Sequence, residues 1–332
     1  MDLPAEPRLR WLLRASARLL GAGAEPVSGL VLPNAEFFPD AFDGTGAAVG
    51  KLLSRLAGYA GLPETELRLG LASPEGEEGG GGCGTGACCG SGGGHRHGDD
   101  KPRARVERGS DGAYVVNVQA AEARHPTVLT TALVQGVAAV FCTEVGVLSA
   151  FAPAEVAGAV EVAGALLGFG VLLANGAHIL QRGCGGVKVV RATRLPLDEL
   201  AVATAIQCEL FGTPERVARA ELDPTPRTNF DGAVAWVRAN RGVVRLVRTD
   251  TAAIEADSYA LCEGRSWLGR VFGIGRARGA SVPTDDDLAA LERELALGSG
   301  RGVAKPKAAP ADAARQQRLA ELRALVDESL DG

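Results

Sequence analysis

The sequence predicts an α+β domain in which a small sheet lies beside a predominantly helical core. Residues 67–71 and 114–118 alternate between apolar and polar side chains, which is typical of half-buried strands. Two long apolar segments, 127–148 and 153–181, follow these strands and contain no Lys or Arg. Such segments predict helices that are buried on most of their surface, and the helical patterns after them complete an α-rich chain.

Two amphipathic helices precede the predicted sheet. Leucines recur at helical spacing in residues 8–20, and Gly21 is placed to end that helix. Residues 44–60 predict the second helix, with Thr45 as its N-cap and Gly61 beyond its end. Both helices should turn their leucine-rich faces towards the same core.

After the sheet the chain is predicted to be mostly helical. The two apolar helices should be separated near Pro153, where the chain has a Phe-Ala-Pro sequence. The elements predicted after them are a short strand at 187–190 and helices at 196–211, 214–221 and 229–239.

The domain organisation follows from changes in composition. Residues 1–245 are predicted to form the main domain, with a Gly/Cys/His-rich flexible loop at 78–100. An irregular or helical extension at 246–297 and a linker at 298–310 should precede a final helix at 311–330. That helix carries an apolar stripe that needs a surface to cover it, so it is expected to bind a protein partner or a second copy; the stripe comprises Leu319, Leu322, Val326 and Leu330.

Charge and cysteine content indicate which partners and which cellular location to expect. The net charge of −5 and the pI near 5.6 argue against nucleic acid as a partner, because binding phosphates needs a clustered basic excess. Acidic residues precede the first apolar run, so no export signal is predicted. Seven cysteines do not fit a secreted disulfide pattern, and a cytoplasmic location is expected, with Cys142, Cys208 and Cys262 as core thiols.

A membrane hairpin formed by residues 127–181 is an alternative interpretation of the apolar segments. Polar side chains within them would lie at unfavourable depths in lipid; they are Gln135, Glu144, Glu161, Asn175 and His178. We therefore expect core helices, and membrane association remains a second alternative.

Several segments resemble, in order, a poorly characterised family of bacterial zincin-like proteins. They are PNAEFFPDAFDG at 33–44, HPTVLTTALVQGVAAVF at 125–141, LGFGVLLAN at 167–175 and DELA at 198–201. The family has an HExxH metallopeptidase motif in the second segment and a Glu-x-x-x-Asp pair before the third. The resemblance covers about residues 8–240 and implies a zincin-like fold.

The resemblance fails at every position that would bind zinc. Gln135, Gly136 and Ala139 stand where the family has His, Glu and His, and Ala157 stands where it has the third ligand. Glu161 falls at the position of the orienting Asp. In an HExxH motif two imidazoles four residues apart bind one Zn²⁺ and the Glu polarises water, which these side chains cannot do. The resemblance therefore implies a catalytically inactive protein that acts as a binding or assembly module.

A metal-dependent enzyme with relocated ligands is the competing hypothesis. Thiolate and imidazole groups suited to zinc or copper occur in the glycine-rich loop; they are Cys83, Cys88, Cys89, His95 and His97. Their spacing matches no zinc-finger pattern, and glycine makes the loop costly to order. Glu161 with His178 is the other candidate set. No cofactor is predicted apart from zinc at this loop.

Overall fold

The computed structural model describes residues 3–72, 105–183 and 186–262 as a mixed α+β structure that is mostly helical. These residues belong to one of two compact units, 1–268, and the second unit lies outside the described residues. The predicted α+β class is confirmed at this level.

Two helices and a small sheet form the first half. Helix α1 spans Glu6–Gly21 and α2 spans Gly46–Tyr59, with the hydroxyl of Thr45 accepting a hydrogen bond from the Ala48 N–H at 3.2 Å as the predicted N-cap. Three strands follow: β1 at Leu67–Ala72, β2 at Val106–Arg108 and β3 at Tyr114–Gln119.

Helices dominate the second half. The helices before the second sheet are α3 at Ala120–Ala123, α4 at Pro126–Glu144, α5 at Val156–Gly164 and α6 at Gly170–Gly176, with a 3₁₀ turn at Val147–Ala150. Strands β4 at Ile179–Gly183 and β5 at Gly186–Val190 follow. The last helices in the described part of the chain are α7 at Leu197–Phe211, α8 at Glu215–Glu221, α9 at Pro224–Ala239, α10 at Arg241–Thr249 and α11 at Thr251–Glu255.

The strands form two separate sheets. The first has the order β1-β3-β2, with β3 in the centre, parallel to β1 and antiparallel to β2. Strand β2 was not predicted, because three residues are too short for a periodic signal. The second sheet is the antiparallel hairpin β4-β5.

The core is built around α4, the α5–α6 segment and α7. Helix α1 packs on α5, α7, α10 and α11, and α4 lies between β3 and the α5–α6 segment. Val244, Val247 and Ile254 are fully buried, so α10 and α11 contribute to the same core.

The prediction of one continuous helix at 153–181 is wrong. A π-helical turn at Ala165–Phe169 interrupts it, and Gly168 has a φ of +102° that other residues rarely adopt. The carbonyl oxygen of Gly29 lies only 2.1 Å from where a Cβ at Gly168 would be. The segment then changes to strand β4 at Ile179, because the last residues of the predicted helix pair with β5 instead.

Two smaller predictions are also corrected. The helix expected at 229–239 begins at Pro224, because proline is favoured in the first turn, where its missing N–H has no helical partner. Cys142 and Cys208 are buried as expected, whereas Cys262 is exposed near the end of the described residues.

Two helical segments, Pro126–Glu144 and Val156–Gly176, are long and apolar enough to cross a membrane. Buried helices in soluble proteins meet the same criterion, and 67% and 89% of their apolar windows are buried in this fold. Polar side chains of the second segment have partners in the interior; the carboxamide of Asn175, for example, bonds the backbone at Glu221 and Asp223 at 3.0 Å each.

Candidate functional site

Helices α4 and α5 bring together two side chains at the positions where the resemblance predicts a lost metal site. The Nε2 atom of Gln135 on α4 donates to Glu161 Oε1 on α5 at 2.8 Å and to the carbonyl oxygen of Ala192 at 2.9 Å. Gln135 is half-buried, whereas Glu161 is only 1% exposed. One amide therefore ties α4 to both α5 and the segment that follows β5.

The carboxylate of Glu161 is fully engaged by N–H donors. Besides Gln135, the backbone N–H groups of Arg194 and Leu195 donate to its two oxygens, each at 2.7 Å. Burial raises the pKa of Glu161, and these hydrogen bonds and the charge of Arg194 oppose the rise by stabilising the ionised form. The arrangement holds a loop in place and leaves no carboxylate oxygen without a donor.

Gly136, at the position of the catalytic Glu in the HExxH pattern, is pressed against the central strand. A Cβ at Gly136 would lie 2.4 Å from Cγ1 of Val116, and Val116 is completely buried on β3. Real Cβ atoms do not approach so closely, so any side chain here requires the helix or the strand to move. The absence of a side chain is thus part of the packing between α4 and the sheet.

The other predicted site residues do not assemble into a metal centre. Ala139 is half-buried on α4, and Ala157 is exposed on α5, one turn before Glu161. His178 is half-buried just before β4, and its backbone N–H bonds the Asn175 carbonyl. Within residues 3–72, 105–183 and 186–262, no group of three His, Cys, Asp or Glu residues could hold a metal ion.

The remaining candidates lie outside the described residues. These are the five ligands predicted in the glycine-rich loop, namely Cys83, Cys88, Cys89, His95 and His97. The linker at 298–310 and the predicted partner helix at 311–330 also lie there.

A cleft of about 900 Å³ lies away from the Gln135–Glu161 pair. Its walls come from the segment 33–45, from α2, from the first turns of α4 and from the α8–α9 connection. Phe42, 44% exposed, contributes an accessible aromatic ring to a lining that is otherwise mixed in charge. A cleft of this size can hold a short peptide or a small organic molecule.

Sequence reasoning missed this cleft, although three of the segments that carry the resemblance line it in part, namely 33–44, 125–141 and 167–175. The wall at the α8–α9 connection depends on Asn175, which holds the chain at 221–223 through its two hydrogen bonds. Such a long-range contact has no local signal in the sequence.

Comparisons of the chain with family models, with characterised proteins and with solved structures find no significant match. The chain is therefore assigned from its own geometry to the class of mixed, mostly helical α+β proteins.

Proposed function

We propose that this protein is a catalytically inactive, zincin-like protein that acts as a binding or assembly module. The observation that carries the proposal is the hydrogen bond between Gln135 and Glu161. In a zinc site a ligating imidazole is oriented by a carboxylate behind it. On the resemblance, the amide of Gln135 stands where an imidazole would, and its hydrogen bond to Glu161 supports a site that has this contact but no group that binds metal.

The packing of Gly136 supports the same proposal. The catalytic carboxylate of an HExxH motif polarises the attacking water, and this role needs a side chain. With Val116 placed against Gly136, the sheet occupies the space that a side chain would need. At Gly136, where an HExxH motif would have its catalytic carboxylate, helix α4 instead packs closely against the sheet.

A binding role is also supported by the cleft beside α2. It has the volume of a ligand site, and it combines an exposed aromatic ring with charged groups on its rim. The cleft lies apart from the former metal position, so its use would not depend on restoring catalysis.

Metal analysis and a hydrolysis assay test the proposal on the purified full-length chain. We expect no zinc retained at the core and no metal-dependent cleavage of a protein substrate such as casein. A matched variant with the five Cys and His ligands of residues 83–97 changed to Ala separates the two metal hypotheses. Zinc that persists at one equivalent in this variant, or hydrolysis that a chelator abolishes, would refute the proposal.

A further inference from the structure

The β4–β5 hairpin is a two-stranded sheet whose outer edges are unpaired within the described part of the chain. Leu180 and Val189 lie directly opposite each other in its register and are 61% and 60% exposed. Isolated two-stranded hairpins are marginally stable in water, and exposed strand edges readily accept another strand. The hairpin thus offers both backbone hydrogen-bonding groups and apolar side chains.

The hairpin and its flanks are strongly basic. Residues 176–196 contain Arg182, Lys188, Arg191 and Arg194 but no Asp or Glu, in a chain with a net charge of −5. Lys188, Arg191 and Arg194 are exposed, and none of the three forms an ion pair with another described residue. The charge of Arg194 acts on buried Glu161. Lys188 and Arg191 are exposed and have no ion pair with an acidic side chain of the described residues.

Three kinds of partner could bind the edge of the hairpin: a second copy of the chain, a membrane or an acidic peptide. The charge of the hairpin favours one of them. A second copy would bring the same basic residues to the edge, and like charges across paired strands are destabilising. A membrane would attract the basic residues, but lipid cannot satisfy the backbone groups of an open strand edge. An extended acidic peptide can hydrogen-bond to the backbone groups of the strand edge, and its carboxylates can pair with the basic side chains.

We propose that the β4–β5 hairpin binds an extended, acidic segment of a partner protein as an added strand, an inference that rests on the proposed role as a binding module. Leu180 and Val189 share one face of the hairpin, whereas Lys188 pairs with Gln181 on the face that also carries Ile179 and Val190. Apolar residues thus occur on both faces and the exposed Lys188 on one, so a segment that contains both apolar and acidic residues can contact side chains of both kinds.

Fluorescence anisotropy with a defined probe tests this proposal on the full-length protein. The probe is a fluorescein-labelled peptide that alternates Val and Glu over six residues. A peptide of the same composition with Pro at its two central positions cannot pair as a strand and serves as the probe control. A peptide that alternates Val and Lys tests the charge requirement.

Two variants locate the binding at the hairpin. Reversing two charges in the double variant Lys188→Glu/Arg191→Glu should weaken binding of the Val/Glu probe about tenfold or more. Arg124→Glu/Arg216→Glu is the matched control, since both arginines are exposed and form no ion pair with a described residue. Leu180→Thr/Val189→Thr should also weaken binding while keeping side chains that favour strands.

Binding of the Val/Glu probe that is lost in the hairpin variants, retained in the control variant and weakened by salt supports the proposal. Equal binding of the Pro-containing control, or no effect of the charge reversals, overturns it. Self-association in sedimentation velocity that the hairpin variants abolish favours a second copy instead. Binding confined to vesicles of phosphatidylserine and phosphatidylcholine favours a membrane surface and also overturns it.

Mass spectrometry of the probe after incubation with the protein and Zn²⁺ separates this inference from the proposed function. A cleaved probe overturns the catalytically inactive role. An intact probe that fails to bind overturns strand addition alone.

Discussion

Replacing Gly136 with Ala tests whether strand β3 packs so closely against α4 that no side chain fits at this position. The added Cβ would lie 2.4 Å from Val116 Cγ1, an overpacking that typically costs about 1–3 kcal/mol. Replacing Gly with Ala in a helix also stabilises it by about 1 kcal/mol, because Ala has the higher helix propensity. We therefore expect the free energy of unfolding to fall by up to about 2 kcal/mol.

The sign of this effect should reverse when Val116 is first shortened to Ala. Removing both Cγ atoms leaves only the Cβ of that residue near the new methyl, at 3.4 Å, which is an ordinary contact. In the Val116→Ala background, Gly136→Ala should then stabilise the chain by about 1 kcal/mol, because helix propensity is gained and part of a cavity is filled. This coupling is the signature of direct contact.

Urea unfolding of the four proteins in this cycle measures the coupling, with Gly50→Ala as a control. Gly50 lies in α2, and nothing is within 4 Å of where its Cβ would be, so that change should be stabilising. If Gly136→Ala stabilises the wild type as Gly50→Ala does, or if the two changes are additive, the packing argument is wrong. The combined variant Gln135→His/Gly136→Glu/Ala139→His contains the same clash and should show no metal-dependent hydrolysis.

Three further predictions concern buried polar and thiol groups. Burial raises the pKa of Glu161 above its ordinary value of 4.5. The free energy of unfolding should therefore fall as pH rises from 4.5 through the pKa of the folded state, because the buried side chain becomes ionised. The stability advantage of wild type over Glu161→Gln should therefore shrink as pH rises, with a substitution of the exposed residue Glu64, Glu64→Gln, as the control variant; an advantage that grows with pH would contradict this. Gln207 is completely buried without a hydrogen-bond partner among the described residues, so Gln207→Met should raise the free energy of unfolding by about 1–2 kcal/mol in a urea titration, and a loss would refute this. Iodoacetamide at pH 8 should label Cys262 but neither buried thiol, whose pKa burial raises to about 12; peptide mapping that finds them labelled in the native chain would disprove it.

Local sequence signals predicted the elements whose boundaries depend on local chemistry. Thr45 caps α2 because its hydroxyl reaches an N–H in the next turn, and the alternation at 114–118 corresponds to central strand β3. Gly168 could not be recognised as an interruption, because its conformation depends on a close approach to Gly29. The change from α6 to β4 was equally hidden, since the apolar pattern continues through Ile179 and Leu180.

The candidate site was predicted only in part for a similar reason. The resemblance assigned Gln135 to a ligand position and Glu161 to the position of the orienting Asp, and the two side chains are hydrogen-bonded at 2.8 Å. The donors at Arg194 and Leu195 were not anticipated, because backbone N–H groups leave no mark in the sequence. Zinc at the glycine-rich loop, the partner helix at 311–330 and the cytoplasmic location stay predictions.

Hydrogen bonds connect the Gln135–Glu161 pair to the basic hairpin. The carbonyl oxygen of Ala192 accepts a hydrogen bond from the side-chain amide of Gln135. The N–H of Ala192 donates to the carbonyl oxygen of Gly176 at 2.9 Å, just before β4 begins. Glu161 accepts hydrogen bonds from the backbone N–H groups of Arg194 and Leu195, so the Gln135–Glu161 pair holds the chain just after β5. A rigid base reduces the entropy lost when a strand is added. The buried carboxylate of Glu161 can therefore support binding at the hairpin through its hydrogen bonds alone.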